Sequence, residues 1–181
     1  REPVAHVILA LDVSASMNRT DKYPLLTEAL AAMLYDLRRP GCPDVLLSVV
    51  LYAYGAETVF RDQPASKLEP RDVLRAIDKS SLRFGRYTDM VGAMQRAGRI
   101  AYDQVKANKA MPVRICLLTD GRPQDVEGTR RAIAQVRRLP VDVDALAFGK
   151  DADVAVLQDL VSGGRGGTVK QIRSDTIGEA F

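Results

Sequence analysis

Short continuous apolar runs alternate along this sequence with longer stretches whose apolar residues recur every three or four positions. Residues 5–11, 45–53 (VLLSVVLYA), 113–120 (VRICLLTD) and 142–148 are apolar with little alternation, the pattern of strands buried on both faces. Between them, residues 23–39 place Leu26, Leu30, Met33 and Leu37 on one helical face; Pro24 suits the first turn and PGCP stops the helix. GAE predicts a turn into TVFRD, read as an antiparallel edge strand. PRDVLRAID (70–78) predicts a short helix. Met90, Ala93, Met94, Ala97, Ile100, Ala101 and Val105 predict a long one over 89–109. Helices follow over 126–138, ended by Pro140, and over 152–161. GGRGG then leads to a strand at 167–172, and a last helix starts near 174.

Alternating strands and helices, with inner strands apolar on both faces, predict an α/β fold: a doubly wound, Rossmann-like, mostly parallel six-stranded sheet with one antiparallel edge strand and helices on both faces. Such open sheets bind ligands beyond the carboxyl ends of their strands, where the strand order reverses. The sequence has no internal repeat or long linker, and its 181 residues fit one domain spanning 1–181. It begins at Arg1 rather than Met, as a piece of a longer protein would.

Charge and cysteine usage narrow the function classes. A net charge of +3 and a pI near 9.0 fall short of a nucleic-acid binder's footprint, so no nucleic-acid partner is expected. The arginine pairs at 38–39, 130–131 and 137–138 read as solvated helix faces and ends. Cys116 lies in an apolar run and reads as a core residue. Cys42 lies in a turn; a disulfide between the two stays open, but two cysteines make neither a disulfide framework nor a zinc site. His6, the single histidine, reads as structural. No apolar run of about 18 residues exists to span a membrane. The compartment stays open, with a lean toward a cytoplasmic, bacterial setting, and so does the oligomeric state.

The chemistry concentrates at predicted strand ends. The first strand ends in Asp12, followed by Ser14 and Ser16 in DVSAS. VRICLL ends in Thr119-Asp120-Gly121, and Arg86-Tyr87-Thr88-Asp89 leads into the long helix. In a doubly wound sheet the strands flanking the switch point are neighbours, so Asp12, Ser14, Ser16, Thr88 and Asp120 converge on one point. The i, i+2, i+4 spacing lets alternate side chains of an extended segment or tight loop face the same way. Two carboxylates and three hydroxyls form a hard, all-oxygen set suited to Mg²⁺, Mn²⁺ or Ca²⁺ rather than zinc, and a cation between the carboxylates relieves their repulsion. Asp12 and Asp120 also have a plainer reading as helix N-caps.

DVSAS, the Thr in GRYTDM and the Asp in LLTDGRPQD resemble the metal-ion-dependent adhesion site of the von Willebrand factor type A domain. The resemblance extends over nearly the whole chain, through VDVDALAFGKDADVAVLQDLVSGGRGGTV. It implies that Ser14, Ser16 and Thr88 give hydroxyl oxygens to the metal and that Asp12 and Asp120 bind it directly or through water. It also implies that Thr88 is the ligand whose distance changes on partner binding. One open position on Mg²⁺ would take a Glu or Asp carboxylate from a protein partner. Relatives often switch through a C-terminal helix; here only Asp175–Phe181, barely two turns, remain at that place in the sequence, and whether such a switch exists stays open.

The implied function is metal-dependent protein–protein interaction without catalysis. Arg86, Tyr87 and Arg122, flanking the metal loops, are candidates for contact with a partner. The alternative is an Mg²⁺-dependent phosphohydrolase or phosphoryl-transfer enzyme on the same kind of sheet. That chemistry calls for an acid two residues after Asp12, where Ser14 stands, and for a phosphate-holding lysine, for which Lys150 is the candidate. GGRGGT lacks the context of a phosphate loop and reads as a loop feeding the last strand. Tyr52 and Tyr54 read as core or rim packing, Asp89 as support for its helix start, and Asp142 and Asp144 as non-ligands.

Overall fold

The computed structural model describes residues 2–18 and 22–173. In chain order the elements are β1 (His6–Asp12), α1 (Tyr23–Leu37), β2 (Leu46–Ala53), β3 (Gly55–Pro64), α2 (Pro70–Lys79), α3 (Met90–Ala107), β4 (Val113–Thr119), α4 (Val126–Val136), β5 (Val141–Phe148), α5 (Val154–Val161) and β6 (Gly166–Ile172). The six strands form one sheet in the order β3-β2-β1-β4-β5-β6, all parallel except β3, which pairs antiparallel with β2 at the edge. The helix expected near 174 lies outside the described residues.

Strand alternation divides the core. Ile8, Ala10, Val50, Tyr52, Ile115 and Leu117 pack toward α3, α4 and α5. Leu9, Leu11, Val49, Leu51 and Leu118 pack toward α1 and α2. The apolar run Val7–Leu11 within β1 is therefore what a central strand covered on both sides demands. Among the described residues no helix is long and apolar enough to cross a membrane.

Helix boundaries are set by local chemistry. Asp89, Asp125 and Asp153 each cap a helix, accepting the backbone N–H of Gly92, Gly128 and Val156 at 2.9, 2.8 and 3.2 Å. These caps start α3 at Met90 and α5 at Val154, slightly inside the ranges expected from periodicity. Pro70 opens α2 at a position where its missing N–H is no loss.

The largest departure from the sequence reading is β3. GAE is not a turn; the strand begins at Gly55, which pairs across the hairpin with Ala53. Gly55 makes so tight a reversal by adopting φ +87°, a region that costs an L-residue roughly 1–2 kcal/mol.

His6 is fully buried at the base of β1, 3.0 Å from Gln104 Oε1 through Nδ1 and 2.8 Å from Ser48 Oγ through Nε2. Burial holds its pKa below the ordinary value, and the ring serves the core. The two cysteines are not joined in a disulfide, and burial pushes the Cys116 thiol up to about 12.

Candidate metal centre

The strand order reverses between β1 and β4, which lie side by side with Leu11 opposite Leu118. Their carboxyl ends therefore deliver Asp12 and Asp120 to the same crevice. After Asp12 the chain does not stay extended. Ser14 is extended, at φ −65° and ψ 168°, but Ala15–Met17 form one 3-10 turn, so a tight loop gathers the two serines. Backbone bonds pin this loop from both sides. Val13 N–H reaches Tyr52 O (2.9 Å), Ala15 N–H reaches Gly85 O (2.7 Å), and Phe84 N–H reaches Val13 O (2.5 Å). Gly85 allows this approach, since a Cβ there would stand 3.1 Å from Leu82 O and 3.2 Å from Ala53 Cβ.

The side chains then form a connected chain from core to surface. Fully buried Asp12 accepts the Ser14 N–H on Oδ1 at 2.9 Å and the Thr119 hydroxyl on Oδ2 at 2.7 Å. Thr119 Oγ1 in turn accepts the Gly121 N–H at 3.2 Å, which orients its hydroxyl toward Asp12. The Ser14 and Ser16 hydroxyl oxygens are 3.1 Å apart, and Ser16 Oγ donates to Asp120 Oδ1 at 3.1 Å. Ser16 is exposed, so the cluster opens to solvent at that end. Neither aspartate caps a helix, which sets aside the plainer reading of both.

Electrostatics mark Asp12 as the strained member. Burial, with the Asp120 charge adding to it, raises its pKa to about 6 against the donors from Ser14 and Thr119. Next to it on β2, the fully buried Tyr52 hydroxyl has no hydrogen-bond partner among the described residues, and burial and the Asp12 charge push its pKa well above the ordinary value.

Four of the five expected ligands, Asp12, Ser14, Ser16 and Asp120, are thus joined by short contacts. Thr88 stands at the adjoining loop. Its carbonyl accepts the Gln124 N–H at 3.3 Å, tying it to the segment after β4, while Asp89 N–H binds Ala53 O at 2.8 Å. The Thr88 hydroxyl itself makes no hydrogen bond to a described residue. Arg86, Tyr87 and Arg122 are exposed on these loops. Tyr54 is exposed too and meets Tyr87 edge to face, 5.7 Å between centroids. Asp142 pairs with Arg114 and Arg165 away from the cluster, and Asp144 accepts from Thr168.

Two members escaped the sequence reading. Thr119 is the residue before Asp120; a hydroxyl closing the apolar run Ile115–Leu118 was the signal for it. Lys22 carried no local signal. Its ammonium lies 3.0 Å from Asp120 Oδ2 and 3.1 Å from Asp151 Oδ1. Burial opposes its charge, but the two carboxylates outweigh burial and raise its pKa. Lys150, the lysine considered for phosphate binding, is exposed.

The set fits a hard divalent cation. Its donors are carboxylate and hydroxyl oxygens, with no thiolate or imidazole among them. Since the described residues hold no group of three or more His, Cys, Asp or Glu placed for a metal, an ion here depends on the hydroxyls beside the two carboxylates. A buried, unpartnered phenol oxygen beside Asp12 also leaves a polar atom for which a water of the ion's shell is a ready partner.

A family model described as the von Willebrand factor type A domain matches residues 6–179. The chain belongs to this family. Solved structures repeat the fold of this type A domain at low identity. The mussel byssus proximal thread matrix protein 1, with a zinc-occupied adhesion motif, is 17% identical, with a TM-score of 0.71 over 98% of this chain and 44% of that one. A von Willebrand factor type A protein from Catenulispora acidiphila is 22% identical, with a TM-score of 0.71 over 98% of this chain and 41% of that one. Manganese-loaded TRAP protein from Plasmodium vivax is 16% identical, with a TM-score of 0.69 over 97% of this chain and 70% of that one. The type A domain described here thus spans less than half of the mussel and Catenulispora chains. No curated protein matches the sequence at a significant level.

Proposed function

We propose that this type A domain is a metal-dependent protein-binding module. It holds one divalent cation through Asp12, Ser14, Ser16, Thr88 and Asp120 and offers it to a Glu or Asp side chain of a protein partner. The observation that carries the reading is the bonded path from buried Asp12 and Ser14 through exposed Ser16 to Asp120, built across two loops at the sheet's switch point. Its oxygen donors suit Mg²⁺ best, with Mn²⁺ or Ca²⁺ as substitutes. Zinc in the adhesion motif of the mussel protein, and the manganese loaded in the Plasmodium protein, support a divalent ion for this domain.

The bound ion would neutralise two carboxylates and supply a positive centre at the solvent-facing end. The protein's own residues do the rest. Thr119 fixes Asp12, the 3-10 turn presents both serines, and Arg86 and Arg122 surround the crevice with positive charge for an acidic partner. Tyr54 and Tyr87 give that partner an aromatic surface to pack on. Ser14, where a phosphohydrolase of this architecture needs an acid, favours binding over catalysis.

Thermal unfolding tests this reading. An ion at a hundred times its Kd stabilises the native state by about 2.7 kcal/mol, or roughly 5–10 °C at this chain length. Mg²⁺ or Mn²⁺ is expected to raise the midpoint by that amount over chelator, and Ser14→Ala/Ser16→Ala is expected to lose the rise. An equal rise in both proteins would place the ion elsewhere.

A further inference from the structure

Lys22 is an unusual neighbour for a cation site. It immediately precedes α1, its side chain is 4% exposed, and its ammonium lies between Asp120 Oδ2 and Asp151 Oδ1. A long cationic side chain is rarely buried unless carboxylates compensate for the lost hydration. Two segments provide for it. Asp120 follows β4, and the turn after β5 carries both Asp151 and Gly149, which leaves the space: a Cβ there would stand 2.9 Å from Lys22 Cε. Gly149 also adopts φ +93°, so the turn after β5 is shaped around the lysine stem at a position where other residues are strained.

We propose that Lys22 is a tethered cation that competes with the divalent ion for Asp120, keeping metal binding by the domain weak and the bound ion receptive to an incoming carboxylate. This rests on the metal-site reading above and adds a residue that sets its affinity. Both oxygens of Asp120 are engaged, Oδ1 by the Ser16 hydroxyl and Oδ2 by the Lys22 ammonium. An ion arriving at Asp12 and the serines meets a carboxylate already neutralised, with a positive charge behind it. Asp12, Asp120 and Lys22 sum to one negative charge, so a divalent ion leaves the cluster at +1. Without Lys22 the sum with the ion is zero. Asp151 is half exposed, and water screens its share. The lysine therefore weakens the ion's hold on the domain and strengthens the pull of the loaded site on an anion. Metal and partner carboxylate then bind best together.

Calorimetric titration of Mn²⁺ into the whole chain tests this, comparing wild type, Lys22→Met, Lys22→Gln and Lys22→Arg, with Asp12→Asn as the control for the site itself. Lys22→Met and Lys22→Gln are expected to bind Mn²⁺ at least about tenfold more tightly, which is 1.4 kcal/mol, while Lys22→Arg stays near wild type. Wild-type or weaker affinity in both neutral variants, with binding lost in Asp12→Asn, overturns the role of Lys22 alone. Undiminished binding in Asp12→Asn overturns the metal-site reading beneath it. If the neutral variants do not fold, the wild-type Lys22 side-chain ammonium nitrogen resonance decides. It is expected to shift on saturation with diamagnetic Mg²⁺, and an unmoved resonance overturns the proposal.

Discussion

Asp12→Asn is expected to separate stability from metal binding more sharply than any other single change. The carboxyl is fully buried and its pKa stands at about 6, so near pH 8 its ionised form costs the metal-free fold on the order of 3 kcal/mol. An amide keeps an oxygen for the Ser14 N–H and removes the charge, though its NH₂ group pairs less well with the Thr119 hydroxyl. The expected net result in chelator is a midpoint about 4 °C higher than wild type, from a gain of one to two kcal/mol. Metal affinity moves the opposite way. A unit charge about 4 Å from a monovalent ion is worth roughly 4 kcal/mol at an effective dielectric of 20, and more for a divalent one, so a loss of at least about a hundredfold is expected. Melting curves with chelator and with Mn²⁺ check both halves. A variant less stable in chelator that still binds Mn²⁺ would contradict the account of Asp12.

The second large effect is pH dependence with opposite signs in the two metal states. Asp12 has a folded pKa raised above the ordinary 3.8, so its penalty is present in full above about pH 6. The penalty shrinks as the pH falls through 6 and is gone below the unfolded value. In chelator, this group alone should make the fold about 1 kcal/mol more stable at pH 5 than at pH 7.5. Metal requires the ionised carboxylate, so over the same interval apparent Mn²⁺ affinity should fall about tenfold. Taking wild type minus Asp12→Asn at each pH isolates Asp12 from the other titrating groups. A difference that stays flat from pH 7.5 to 5 would contradict the raised pKa.

Much of this was legible in the sequence because the relevant constraints are local. Unbroken apolar runs such as VLLSVVLYA can only be central strands or short buried helices, and the helical periodicity between them decides for a parallel sheet. Asp12, Ser14 and Ser16 share one loop, and Asp120 closes a recognisable strand end. What stayed hidden depends on distance in sequence. The starting point of β3 follows from the positive φ of one glycine, which lets Ala53 and Gly55 pair where a longer turn was expected. Lys22 has no motif of its own. Its role comes from Asp120 and Asp151, far along the chain on other strand ends, and from the missing side chain of Gly149. Tyr52 read as ordinary packing until the pairing of β1 with β2 set it opposite Asp12.

The central claim is that the switch-point cluster is a cation site. Its most direct test is a Mn²⁺ titration followed by electron paramagnetic resonance, which reads free aqueous ion, on wild type and on Ser14→Ala/Ser16→Ala at pH 7.5. Loss of free-ion signal to a stoichiometry of one in wild type, absent in the variant, is the predicted result. No bound Mn²⁺ in wild type, even with excess acetate present to complete the ion's shell, would contradict it.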